Sequence, residues 1–202
     1  MITSMCNSYE HTIVITNRHL VQGDFLKQLE KVTKLHPHAL ILREKDLTDD
    51  AYESLAKKVF DLCKREDITC FLHTEIEIAR KIGCQNIHLS IPVLKGLSDT
   101  EKKALTEDFC EISISCHSME DVEIAMAGGA TQIILGTIFE TECKKGVLGK
   151  GVEFVREICQ KCPLPVYAIG GMNLQRLPLV IDAGAAGCCM MSGFMQTKKP
   201  LQ

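Results

Sequence analysis

Four short stretches of this chain carry residues whose types and spacing suit chemistry on a small anion. In Ser115-Cys116-His117-Ser118 an imidazole follows an apolar run and precedes a helical pattern. Imidazole accepts and releases a proton near neutral pH, so His117 is the candidate acid–base residue. Ala168-Ile169-Gly170-Gly171-Met172 and Met190-Met191-Ser192-Gly193 each end an apolar run. Paired glycines admit a ligand oxygen close to the backbone, a following helix start offers unpaired N–H groups, and Ser192 adds a hydroxyl. Gly170, Gly171, Ser192 and Gly193 are therefore candidate phosphate ligands. In Ile41-Leu42-Arg43-Glu44-Lys45-Asp46, Arg43 brings a fork suited to carboxylate or phosphate and Lys45 a flexible positive charge.

Each stretch also has a plainer reading. The glycine pair serves as a tight turn. Arg43 and Glu44 form a local pair at a solvated strand exit. His117 is simply exposed or bonds to a helix start. His73 is a further candidate at a strand end, and His88 reads equally well as a satisfied interior histidine. The long segment 136–151 has glycine hinges and the paired lysines Lys144 and Lys145, which suit closure over an anion or are merely solvated. Metal chemistry has weak support: Cys159-x-x-Cys162 has ligand spacing, but no second pair completes a site. No serine nucleophile elbow is present.

These groups need elements to hold them. Apolar runs at 12–16, 39–42, 69–72, 86–89, 111–115, 132–135, 165–169 and 187–191 read as strands. Several are too apolar for a sheet wet on one face and suit parallel strands covered by helices. Between them, helical patterns span 25–35, 49–66, 76–82, 99–105, 119–127, 151–159 and 174–183. Thr48 or Asp49 caps the second helix, Gly83 ends the third, and Ser118 with Asp121 forms a loose capping box. Eight uninterrupted βα units predict an α/β chain folded over 1–202 as one compact (β/α)₈ TIM barrel. The alternative, an open doubly wound sheet, lacks the Gly-x-Gly-x-x-Gly turn after its first strand. In a barrel all the candidate groups sit on the C-terminal rim, where such folds often bind phosphate after strands seven and eight.

Composition narrows the partners. The net charge of −3 and the 5% aromatic content, with no Trp, argue against a nucleic-acid surface. No stretch reads as a signal peptide or a membrane span. Eleven scattered cysteines, an odd number, fit buried thiols in a cytoplasmic protein better than a secreted disulfide scaffold. Homo-oligomer formation is left open.

Taken together, Leu42-Arg43-Glu44-Lys45, Ser115-Cys116-His117-Ser118, Phe139-Glu140-Thr141-Glu142-Cys143-Lys144-Lys145-Gly146 and Ala168-Ile169-Gly170-Gly171-Met172 resemble the thiamine phosphate synthase and thiazole tautomerase (TenI) superfamily. The likeness covers essentially the whole chain, and the 139–151 loop looks specifically like the tautomerase branch. The resemblance implies a (β/α)₈ fold and a small phosphorylated thiazole as substrate. It also implies Arg43, Lys45, His73 and Lys145 as substrate contacts and His117 as the acid–base residue. A synthase joins a pyrimidine diphosphate to a thiazole phosphate with magnesium; a tautomerase aromatises a carboxythiazole phosphate with no metal or other cofactor. This chain departs from the synthase pattern. Ile41 stands where a synthase has Gln, His73-Thr74 where it has Asn-Asp, and segment 90–93 lacks its carboxylate. The resemblance therefore favours a tautomerase, with a divergent synthase or a non-catalytic phosphate-binding regulator as alternatives.

Overall fold

The computed structural model describes residues 8–141, 146 and 148–196. Strands β1 (Thr12–Ile15), β2 (Ala39–Leu42), β3 (Thr69–His73), β4 (Asn86–Ser90), β5 (Glu111–Cys116), β6 (Gln132–Gly136), β7 (Val166–Ile169) and β8 (Gly187–Met190) lie in sequence order. They form a closed barrel in which every neighbouring pair is parallel. The last seam pairs Ile13 with Cys189 and Val14 with Met190. All eight C-terminal strand ends therefore meet at one rim, as the alternation of the sequence predicts.

Helices α1 (Phe25–Thr33), α2 (Asp49–Arg65), α3 (Ile76–Ile82), α4 (Ile91–Gly96), α5 (Asp99–Asp108), α6 (Met119–Ala127), α7 (Gly151–Lys161), α8 (Leu177–Asp182) and α9 (Ser192–Met195) accompany the strands. Their ends follow local chemistry. Thr48 caps α2 through its hydroxyl, and Gly83 leaves α3 in the left-handed region at φ 73°. Helix α8 starts three residues later than periodicity predicts, because Asn173 holds the Arg176 N–H in a turn with both its carbonyl (3.1 Å) and its side chain (2.9 Å). Helix α4 escapes sequence reading: six residues that include Pro92 and Gly96 show no usable period. Among the described residues no helix is long and apolar enough to cross a membrane. Of the nine described cysteines, only Cys110 is exposed and Cys159 half-buried.

Alternation along the strands builds two cores. Val14, Leu40, Leu72, Ile87, Leu89 and Ile114 face the helix layer, whereas Ile13, Ile15, Ala39, Ile41, Phe71, Ile134, Tyr167 and Cys189 fill the barrel interior. Each large aliphatic side chain so buried contributes about 1.5–3 kcal/mol. The interior is not apolar throughout, since β4 and β5 contribute His88 and Ser113, both buried.

The rim is fastened from outside by Tyr52 of α2. Its buried hydroxyl donates to the Leu42 carbonyl (2.7 Å) and accepts from the His73 N–H (3.3 Å). Burial raises the phenol far above its ordinary pKa, so it stays a donor. The contact bridges β2 and β3 directly beneath Arg43 and His73. Tyr52→Phe leaves both backbone groups without that partner and is expected to lower unfolding stability by about 1–3 kcal/mol in urea titrations. An unchanged urea midpoint would show that the bridge carries no stability.

Candidate active site at the C-terminal rim

His117 lies one residue beyond β5, and three contacts set its position. Its Nδ1 is 2.6 Å from the carbonyl oxygen of Gly136, the last residue of β6. A carbonyl only accepts, so Nδ1 donates, and in the neutral form of the ring the lone pair sits on Nε2. The His117 N–H donates to the Asp121 carboxylate (2.7 Å), and the Lys150 ammonium donates to the His117 carbonyl. Asp121 thus supports His117 rather than completing a full capping box: Ser118 Oγ accepts from Asp121 N (3.1 Å), but the Asp121 carboxylate turns to His117. His117 is exposed at the rim.

Gly136 also lies next to the glycine pair. It stands in register with Ile169, which Gly170 and Gly171 follow. Both glycines have positive φ (102° and 61°). A Cβ at Gly170 would meet Thr137 Cγ2 at 2.4 Å, and one at Gly171 would meet the Glu140 carbonyl at 2.5 Å. Glycine is thus required here by the close approach of the segment after β6, whatever else the pair binds. Arg176 stiffens the turn by donating to the Gly171 carbonyl (2.5 Å) while its guanidinium lies 4.5 Å from the Phe139 ring centroid. Ser192 and Gly193 follow the neighbouring strand, and an added Cβ at Gly193 would meet nothing within 4 Å.

The β2 end differs from the simplest expectation. Glu44 is 4% exposed and does not pair with Arg43. It accepts from Thr16 Oγ1 (2.7 Å), the Arg18 N–H (3.0 Å) and the Arg18 guanidinium (3.1 Å). Arg18 also forks onto Asp46 (2.6 and 2.5 Å), and His19 reaches the same carboxylate. One arginine from β1's exit thus takes both rim carboxylates of the β2 exit and holds the Asp46 carboxyl well below its usual range. The partner of Glu44 thus comes from the segment that follows the neighbouring strand β1 rather than from its own chain neighbour. The Arg43 guanidinium makes no ion pair among the described residues. It lies half-buried near His73 and His88, whose protonation it disfavours together with Lys45.

His73 and His88 stand side by side in register, with ring centroids 5.6 Å apart. His73 Nδ1 lies 2.8 Å from Thr74 Oγ1. His88 sits between Ser113 Oγ (2.9 Å at Nδ1) and Ser115 Oγ (2.9 Å at Nε2), the satisfied interior histidine of the plainer reading. Burial and the neighbouring positive charges push His73 down to about 4, and burial above all pushes His88 down to about 3. Lys145 lies outside the described residues. The rim therefore brings His117, the glycine pair, Ser192, Gly193, Arg43, Lys45 and His73 to one end of the barrel. Sequence reading missed Arg18, Asp121, Lys150 and Ser115 as parts of this site. Only the Ser118-x-x-Asp121 spacing gave a local signal.

The two neutral histidines predict a pH effect. In the unfolded chain each titrates near its ordinary value of 6.5, above its folded value. Below pH 6.5 the unfolded chain therefore binds more protons, and stability falls toward the folded values by up to about 1.4 kcal/mol per pH unit per histidine. His88→Asn is expected to flatten this slope in urea titrations across the acid range; a slope parallel to wild type would refute the assignment.

Comparison with known proteins gives a consistent relationship. A family model described as thiamine monophosphate synthase matches residues 12–194. The thiamine-phosphate synthase of Coprothermobacter proteolyticus is 30% identical over 186 residues, covering 92% of this chain and 87% of that protein. That of Clostridium acetobutylicum is 29% identical over 195 residues, covering 95% and 89%. A solved thiamine phosphate pyrophosphorylase from Pyrococcus furiosus superposes with a TM-score of 0.81 at 22% identity, covering 95% of this chain and 90% of that one.

Proposed function

The chain belongs to the thiamine monophosphate synthase family, an enzyme family, and from that premise we propose that it acts in thiamine biosynthesis as a thiazole tautomerase, aromatising a carboxythiazole phosphate by proton transfer. The observation that carries this reading is the His117–Gly136 contact. With Nδ1–H committed to a carbonyl, Nε2 is a ready base facing the rim. It takes the proton from ring C2, the electrons of that bond enter the ring system, and the imidazolium returns a proton to the exocyclic carbon. Nδ1–H remains bonded to Gly136 throughout, so the ring need not turn between the two steps. Arg43 and Lys45 balance the substrate's carboxylate and the negative charge that spreads onto it, while Gly170, Gly171, Ser192 and Gly193 hold the phosphate. His73 supplies a neutral polar contact.

The names of the relatives favour a second reading, a thiamine-phosphate synthase. Such a reaction would need magnesium, and the residues at this rim do not suit that ion. Hard divalent cations take oxygen ligands, mostly carboxylates. Here β3 ends in a neutral histidine, segment 90–93 has no acid, and Glu44 and Asp46 are engaged by Arg18.

Two assays separate the readings. Purified protein is expected to accelerate aromatisation of the carboxythiazole phosphate, followed by absorbance and product mass, with His117→Ala slower by about 10²- to 10⁴-fold and still folded. Sustained thiamine phosphate formation from pyrimidine diphosphate, thiazole phosphate and magnesium would instead establish the synthase. Neither turnover, with the thiazole phosphate still bound, would make the chain a binding protein. Ser192→Asp brings a negative charge to the phosphate position and is expected to weaken ligand binding by at least about tenfold in calorimetry; unchanged affinity would move the phosphate elsewhere.

A further inference from the structure

A polar row crosses the barrel interior from β3 to β6. Register pairs His73 with His88, His88 with Ser113, and Ser113 with Gln132. Residues paired this way point to the same side of the sheet. That side is the interior, because Ile87 and Leu89, which flank His88, belong to the helix-facing core. Ser115 sits one layer nearer the rim, half-buried, two residues before His117 on the same face. His88 joins the layers by contacting Ser113 at Nδ1 and Ser115 at Nε2.

A neutral imidazole has one N–H and one lone pair. Whichever way Ser113 bonds to Nδ1 therefore determines whether Ser115 accepts from Nε2 or donates to it. A donor without a partner stands at the far end of the row. Gln132 is 4% exposed, and its side-chain nitrogen has no hydrogen-bond partner among the described residues. An amide N–H only donates, and leaving it unbonded in the interior is costly, so a buried polar group of this kind is normally satisfied, often through water.

We propose that Gln132 and His88 are positioning residues that turn the Ser115 hydroxyl into a hydrogen-bond donor aimed at the ligand. One buried water accepts from Gln132 Nε2–H and donates to Ser113 Oγ. Ser113 then donates to His88 Nδ1, and His88 Nε2–H donates to Ser115. The Ser115 O–H is left for an acceptor on the bound ring compound, a carboxylate oxygen or ring nitrogen, and a ligand offering an N–H there is disfavoured. Because burial keeps His88 neutral, the direction survives through the ordinary pH range. The ligand's identity rests on the thiazole reading above; the direction of the row does not.

The test uses the full chain with ¹⁵N-labelled histidine. Long-range ¹H–¹⁵N spectra report the tautomer of each ring, and His88→Asn identifies the His88 signals by their loss. Wild type is expected to hold His88 solely as the Nε2–H tautomer; an Nδ1–H ring would reverse the row and overturn the proposal without any variant. Gln132→Leu is expected to mix the two tautomers and to weaken binding of the aromatic carboxythiazole phosphate by about five- to tenfold. Ser115→Ala should cost a similar amount, and the double variant little more. A pure Nε2–H ring in Gln132→Leu would remove Gln132 from the role, and additive losses would do the same. If wild type binds no carboxythiazole phosphate, the thiazole reading fails, while the spectra still decide the direction of the row.

Discussion

When Ile13 pairs with Cys189 and Val14 with Met190, the last strand meets the first and no sheet edge remains. Closure by parallel pairing brings every strand exit to the same end of the barrel, however far apart the exits lie in sequence. Residues 43, 73, 117, 170 and 192 share a rim for this reason alone. Closure also divides the side chains into two sets, those facing the helices and those facing the interior. A one-residue slip of β2, β4 or β5 would exchange that strand's two sets and carry Arg43, His88 or Ser115, respectively, to the wrong side.

Charge at the rim is divided by direction as much as by sign. Glu44 and Asp46 are both engaged by Arg18 after β1. Arg43 stays on the interior face beside two histidines that burial keeps uncharged. The result is a rim with positive charge toward the middle and carboxylates tied off at the margin. That arrangement suits an anionic ring compound and offers poor ligation to a hard cation.

Rigidity is supplied from outside the site. Asp121 and Lys150 hold the two ends of the His117 peptide, Arg176 holds the Gly171 carbonyl, and Tyr52 fastens the exits of β2 and β3. None of these needs to touch a ligand. They restrict the freedom of groups that do, and so reduce the ordering required when a ligand binds.

The sequence by itself determined the order of the strands, seven of the helices between them and the residue types at each strand exit. Those features are local: apolar runs of a few residues, a helical period such as that of α2, a cap at Thr48, a stop at Gly83. Helix α4 was illegible because Pro and Gly in six residues leave no period to read. Tertiary structure alone decided which cation takes Glu44, which nitrogen of His117 carries the proton, and which hydroxyls hold His88. The partners concerned lie 26, 19 and 25 residues apart, in neighbouring strands or the segments that follow them. Their contacts depend on register and on the side to which each chain turns, and neither quantity is encoded in the spacing of one segment.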